Sequence, residues 1–380
     1  MNDKITMIIY TFERHKYLER ILDYYSITNL KIIIGDSTKT TFSNLHKYNN
    51  IEYYHLPDMH PIEKLNKMLK LVKSPYVVLC ADDDFITPTG INESIKFLEE
   101  NKDYDMAHGH YIGFSPPGNE VDPNGRFCWR PRYVFPILDF EGPVERVTHY
   151  FKDFATPLFY GVYRKNILQL MRSEAEKYTN DYIFQETLTA LISLIYSKEK
   201  QLDVLYCFRE IEPKEKRKWW AHESLASFIE EGTFNYKYER FKNCLVSHIC
   251  KVTSLDSVEA EKVIDSGISK LIVRRSSKSK TVKHSLSIII KKSLKSRMPN
   301  IHRLIKSVYS KILPFKEENT GVFYDFPPPK DQEYFRYTKQ GRNVCVEMPK
   351  YQDSDKEVFI NVRDHVIRYC DNNDTIHTQK

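Results

Sequence analysis

Residues 76–88 read YVVLCADDDFITP, and this stretch decides how the rest of the chain is parsed. The run from Tyr76 to Cys80 is apolar throughout and predicts a short, buried strand. It passes through Ala81 straight into three consecutive carboxylates, Asp82, Asp83 and Asp84, and a proline follows at Pro88. In a parallel α/β sheet, ligands bind outside the carboxyl ends of the strands, where these acids would sit. Anions held this close repel one another unless a cation compensates them. Hard oxygen donors favour Mg²⁺ or Mn²⁺, shared with substrate phosphates. The plainer alternative is a solvated acidic turn or a helix N-cap cluster. The strand before and the proline after point to the site.

On the N-terminal side, residues 5–10 (ITMIIY), 31–34 (KIII) and 51–56 (IEYYHL) are further strands by the same criterion. Between them, residues 13–25 place Leu18, Ile21, Leu22 and Tyr25 at helical spacing, and residues 62–72 do so with Leu65, Met68, Leu69 and Val72. Strands alternating with helices at this pitch predict an α/β fold, a mostly parallel sheet flanked by helices on both faces. On the C-terminal side, Pro88-Thr89-Gly90 reads as a turn and residues 91–100 as a helix. Residues 106–114 read as a strand, 115–131 as a loop, 181–196 as a helix and 202–208 as the last strand. The expected division is an α/β domain over residues 1–235 and a helical, basic C-terminal extension over 236–380.

Charge marks the extension. Residues 266–316 hold fourteen Lys and Arg and no Asp or Glu; taking these from the overall +6 leaves −8 on the rest. Within this stretch Ile301, Leu304, Ile305, Val308, Tyr309, Ile312 and Leu313 fall on one helical face, with Arg303, Lys306 and Lys311 between them. An amphipathic helix with a cationic face suits an anionic membrane surface. A helix packed on the catalytic body, with solvated lysines, is the alternative. A nucleic-acid partner is not expected, because the apolar stripe is continuous and no RNA-binding motif accompanies it. The seven cysteines are odd in number and none is spaced C-x-x-C, which argues against a disulfide framework or a structural zinc site. The sequence MNDKITMIIYTF lacks the long apolar run of a signal peptide, so a cytoplasmic protein, peripheral at the inner membrane face, is expected.

The motifs as a set resemble the nucleotide-sugar glycosyltransferases of the GT-A (Rossmann-like) type, above all the large inverting family 2. Thr11-Phe12-Glu13-Arg14 after the first strand is similar to that family's Thr-Tyr-Asn-Arg turn, and Asp36-Ser37 to its Asp-Asp-Gly-Ser motif. Lys64-Leu65-Asn66 resembles the segment in which a basic residue and an Asn face the nucleotide. Residues 81–88, Ala-Asp-Asp-Asp-Phe-Ile-Thr-Pro, resemble the metal-binding D-x-D motif and its following proline. The resemblance covers about residues 4–210.

It implies that Asp36 and the Thr11 backbone line the base and ribose pocket. Asp82 and Asp83 would face the donor, and Asp82 and Asp84 would hold the metal, with the register among the three acids open. Gly35 and Ala81 stand where the family commonly has further aspartates. Arg14 and Lys64 become phosphate partners or, alternatively, solvated cations. His222 would complete the metal shell, and an ordinary histidine is its alternative.

An inverting transfer needs a carboxylate to deprotonate the acceptor hydroxyl. By resemblance it lies at the start of the helix after Asn180, which offers Asp181 first and Glu186 as the alternative. Asp181 is also placed to cap that helix. The implied activity is sugar transfer from a nucleotide-sugar donor to a glycan or lipid-linked acceptor, with Mn²⁺ or Mg²⁺, in surface polysaccharide synthesis. A nucleotidyltransferase on a related scaffold and a non-catalytic binding module are the other classes. The first usually carries a Gly-rich phosphate loop near the N-terminus, and residues 5–16 contain no Gly.

Overall fold

The structure, a computed structural model, describes residues 3–118, 125–133, 135, 137–153, 158–178, 181–211, 234–276, 334–339, 342–347 and 353–377. The first half of the sheet is built by β1 (Ile5–Thr11), α1 (His15–Tyr25), β2 (Lys31–Asp36), β3 (Ile51–His55), α2 (Pro61–Leu71) and β4 (Tyr76–Ala81). These four strands lie parallel in the order β3-β2-β1-β4. Their side chains alternate between two apolar layers. Ile8, Ile33, Val77 and Leu79 face one core, and Met7, Ile9, Ile32, Ile34, Val78 and Cys80 face the other. Both faces of β1, β2 and β4 are covered, which explains why these strands read as apolar runs, whereas the edge strand β3 is half-buried. Each such side chain, fully buried, contributes roughly 1.5–3 kcal/mol of transfer free energy.

The second half is mixed. It comprises β5 (Phe85–Ile86), α3 (Pro88–Glu100), β6 (Tyr104–Ser115), β7 (Cys128–Tyr133), α4 (Pro143–Asp153), β8 (Val162–Arg164), α5 (Lys165–Tyr178), α6 (Tyr182–Tyr196) and β9 (Lys198–Glu210). Among the described residues the whole sheet has nine strands, in the order β3-β2-β1-β4-β8-β6-β9-β5, with β7 paired to β6. β8 runs antiparallel to both neighbours, and β6 and β9 are parallel. Helices α7 (Phe234–Val252) and α8 (Ser257–Ser276) follow, then a hairpin of β10 (Tyr334–Lys339) and β11 (Arg342–Glu347), and finally α9 (Asp353–His377).

Three local expectations are corrected. Pro88-Thr89-Gly90 is the first turn of α3 rather than a separate turn, because Pro88 occupies the opening helical position and the Thr87 hydroxyl accepts from Gly90 N at 3.0 Å. The presumed loop over residues 115–131 contains the start of β7, whose Trp129 is buried against Phe114, Phe127 and Phe208. The last strand is also longer than residues 202–208, since β9 begins at Lys198 alongside Tyr104.

Candidate active site

Thr11, Asp36 and Ala81 are the last residues of three neighbouring parallel strands, so the turns that follow them share one edge of the sheet. The register pairs Thr11 with Asp36 and Tyr10 with Ala81. Asp36 is fully buried. Its Oδ1 accepts from Thr38 N at 2.8 Å, and its Oδ2 is 2.7 Å from both the Tyr53 hydroxyl and His15 Nε2. Burial alone would raise this carboxyl, but the hydrogen bonds from Thr38, Tyr53 and His15 hold it below its ordinary value.

Lys64 is buried, and its ammonium donates to Thr11 O at 2.6 Å and to Ser37 Oγ at 2.8 Å. It therefore ties the ends of β1 and β2 together rather than standing in solvent. Burial pushes its pKa down to about 8, opposed by Asp36 and Asp82. The same packing accounts for Gly35: a Cβ there would meet Lys64 Cγ at 2.9 Å and Met68 Cγ at 3.0 Å, leaving no room for an aspartate. Asn66, two residues on, is also buried. Its Oδ1 accepts from Arg172 Nε at 3.1 Å, and among the described residues its Nδ2 has no hydrogen-bond partner.

The three acids after β4 are spread over different neighbours. Asp82 Oδ2 accepts from the Thr11 hydroxyl at 2.6 Å, and its Oδ1 lies 3.3 Å from Arg14 Nε. Asp83 pairs with Arg14 Nη2 at 2.7 Å. Asp84 Oδ1 accepts from Glu210 N at 2.9 Å, its Oδ2 pairs with Arg209 Nε at 3.2 Å, and the Tyr160 hydroxyl also bonds it. Arg20 Nη2 donates to the Asp83 carbonyl at 3.0 Å and to Glu210 Oε2 at 2.7 Å. Arg14 and Arg20 both lie over the Tyr17 ring, 4.2 and 4.9 Å from its centre.

The chain bends sharply where this cluster meets β1. Glu13 has φ 55°, in the left-handed region, and its N–H donates to Thr38 Oγ1 at 2.8 Å. The resembling family motif has Asn at this place, a residue that tolerates the conformation better than Glu.

Four carboxylates, Asp82, Asp83, Asp84 and Glu210, thus meet three guanidinium groups, those of Arg14, Arg20 and Arg209. Fully ionised, the group carries one net negative charge. Burial raises the carboxyls of Asp82 and Asp84, with the neighbouring Asp83 adding to it, and lifts Glu210 to about 7. Between the ordinary carboxylate range and these raised values the folded chain binds more protons than the unfolded one. Stability from these groups therefore falls as pH rises through that window. Without added metal, this contribution is expected to make the protein melt higher at about pH 5 than at about pH 8. Asp82→Asn and Asp84→Asn should each shrink the difference, and thermal melts across the range measure it. Parallel wild-type and variant profiles would remove these acids as the cause.

The two base candidates stand apart from one another on α6. Asp181 occupies its N-cap position, but its side chain makes no capping hydrogen bond and pairs instead with Lys237 of α7. Glu186 is half-buried and lines a cleft with Gln185, Arg172, Phe159, Tyr10, Pro61, Ile62 and Leu65. His222 and residues 301–313 lie outside the described residues. His15, Arg20, Tyr53, Tyr160, Arg209 and Glu210 join the cluster without having been singled out from the sequence. The only signal for Arg20 was a cation bordering the apolar stripe of α1.

Residues 6–154 match the family model of glycosyl transferase family 2. That span contains Thr11, Arg14, Asp36, Lys64 and the three acids, so the resemblance read from them is borne out, as is the mostly parallel GT-A-like sheet flanked by helices. Solved structures of S. aureus TarS are also similar. TarS 1-349 in complex with UDP is 14% identical, with 89% of this chain and 99% of that one covered and a TM-score of 0.41. The complex with UDP-GlcNAc is 14% identical, with 88% and 99% covered and a TM-score of 0.42. Against the longer TarS structure the identity is 13%, 90% of this chain is covered, the TM-score is 0.41, and the match spans 60% of that chain's length. Among curated proteins, none matches the chain.

Proposed function

We propose that this chain is an inverting, metal-dependent glycosyltransferase that moves a sugar from a nucleoside-diphosphate sugar to a glycan or lipid-linked acceptor in surface polysaccharide synthesis. One observation carries the reading: Asp36 and the Asp82–Asp84 turn share one sheet edge, within the span that matches glycosyl transferase family 2. Asp36, with His15 and Tyr53 on it, is assigned to the base and ribose. Asp82 and Asp84 are assigned to Mn²⁺ or Mg²⁺, and His222 to the same ion. The donor set fits, being hard carboxylates with one negative charge in excess. Among the described residues no three His, Cys, Asp or Glu side chains close on one point. An ion shared with a diphosphate needs only one or two carboxylates. When bound, such an ion offsets charge on the departing diphosphate.

In the proposed reaction the acceptor oxygen forms a bond to the anomeric carbon while the bond from that carbon to the diphosphate oxygen breaks. The acceptor proton passes to the Asp181 carboxylate. Arg14 and Arg209, already beside the acids, supply positive charge next to the leaving group.

Calorimetric titration with Mn²⁺ and a panel of nucleotides tests the assignment. Metal-dependent binding of a nucleoside diphosphate is expected, weakened in Asp36→Ala. Preference for a triphosphate would point to a nucleotidyltransferase. Absence of any binding would leave a module without this chemistry.

A second proposal concerns residues 266–316. Among the described residues no helix is long and apolar enough to cross a membrane. The basic stretch is proposed to dock the enzyme on an anionic membrane surface, each Lys or Arg near that surface contributing about 1 kcal/mol. Sedimentation with anionic but not neutral vesicles is expected, weakened by salt and lost on deleting residues 283–316. Donor hydrolysis should survive that deletion; a chain that unfolds without the segment would make it core structure instead.

A further inference from the structure

Helix α9 packs on α1, on the residue that follows the acidic turn, and on the end of β9. His365 Nε2 lies 2.7 Å from the Arg20 carbonyl, and since a carbonyl only accepts, the histidine donates. The Tyr369 hydroxyl donates to Asp23, three residues further along α1. The His365 ring meets Phe85 edge-on, with centroids 6.0 Å apart, and Phe85 directly follows Asp84. Phe359 meets Phe208 at 5.1 Å, and Phe208 directly precedes Arg209 and Glu210. Val362 and Val366 are fully buried in the same aromatic cluster.

The front of these segments carries the polar cluster. α1 supplies His15 to Asp36, and Arg20 to the Asp83 carbonyl and Glu210, while Arg14 at its start holds Asp82 and Asp83. β9 supplies Arg209 and the Glu210 N–H to Asp84. Hydrogen bonds of this kind stay aligned only while their parent elements keep their spacing. Within the cluster that spacing is set by side chains spanning up to 190 residues of sequence, and one helix from the far end of the chain packs on both α1 and the end of β9.

We infer that α9 is a positioning element of the acidic site, with His365 as the residue that locks α1 against it. The inference rests on the reading of that site as the nucleotide end of the sheet. Its functional content is that donor affinity depends on a helix that contributes no group to the donor.

The test uses the full chain and compares His365→Leu with His365→Gln, whose amide can still donate to the Arg20 carbonyl. Affinity for UDP with Mn²⁺ and amide hydrogen exchange along α1 are measured together, with thermal melts alongside. His365→Leu is expected to weaken UDP binding about fivefold, the scale of one ordinary hydrogen bond, and to speed α1 exchange while the melt changes little. His365→Gln should restore both. Unchanged affinity and unchanged α1 exchange in the leucine variant overturn the inference. A wild type that binds no nucleoside diphosphate overturns the site assignment instead. The positioning role is then decided by exchange alone, with α1 as protected in the variant as in the wild type counting against it. If the leucine variant fails to fold, Tyr369→Phe, which removes only a hydroxyl, is judged by the same criteria.

Discussion

Exchanging Asp84 for asparagine is expected to lower sugar transfer by about 10³-fold, the upper end of what one group stabilising transition-state charge contributes. The carboxylate is buried between Glu210 N, Arg209 and the Tyr160 hydroxyl, so it is held in place before any ligand arrives. An asparagine oxygen can keep one of these bonds, but it removes the negative charge a divalent ion requires. The fold should tolerate the change. Burial already disfavours the charged form of Asp84, and losing that charge removes a penalty. The thermal melt is therefore expected to hold or rise slightly at neutral pH while turnover collapses. Excess chelator should produce the same loss in the wild type. Full activity in Asp84→Asn, or in chelator, would falsify the assignment of this turn to metal and diphosphate.

The parallel half of this fold was legible because β1, β2 and β4 are buried on both faces, while β3, at the sheet edge, is half-buried throughout. A strand such as ITMIIYT has no polar face to obscure, and its helices show clean apolar stripes at Leu18, Ile21 and Leu22 and at Leu65, Met68 and Leu69. The mixed half was harder for identifiable reasons. β5 is two residues long and β8 three, too short for any periodicity to register. β7 carries Pro131 and follows a segment rich in Pro, Gly and Asn, so its composition resembles a loop. β6 and β9 pair with repeated register shifts, which blurs alternation along both.

The site divides along the same line. Asp36 and Asp82–Asp84 could be found because a strand ending in acids is a local pattern. Their partners could not. Arg20 reaches Glu210 across 190 residues, Arg209 reaches Asp84 across 125, and Tyr53 reaches Asp36 from a neighbouring strand. Nothing in the local sequence around Arg209 distinguishes it from other cations at strand ends; only the fold brings it to the acids. Lys64 shows the converse. Its position was legible, but its burial under the ends of β1 and β2 was not, because a lysine on an amphipathic helix ordinarily faces water.

Replacing Asp181 with asparagine is expected to cost about 10²-fold or more in turnover, the scale of a general base, with donor affinity preserved. Asparagine matches aspartate in size and is equally suited to the first position of a helix, so α6 should begin where it does now. Asp181 makes no side-chain capping bond in any case, so the start of α6 does not depend on its carboxylate. That carboxylate is paired with Lys237 from α7, and the pair fixes its direction across two helices. The substitution keeps an oxygen for Lys237 but removes the negative charge and, with it, the ability to accept the acceptor's proton. Single-turnover measurements with donor already bound isolate the step, and titration of nucleoside diphosphate checks that binding is intact. Near-normal turnover would move the role to Glu186. Glu186 lies five residues on, about 140° round the helix, in the cleft it lines with Tyr10 and Phe159. In that case Glu186→Gln should show the loss that Asp181→Asn does not. If neither variant slows the chemical step, no carboxylate of α6 accepts the proton, and a retaining reaction becomes the reading to test through the stereochemistry of the product.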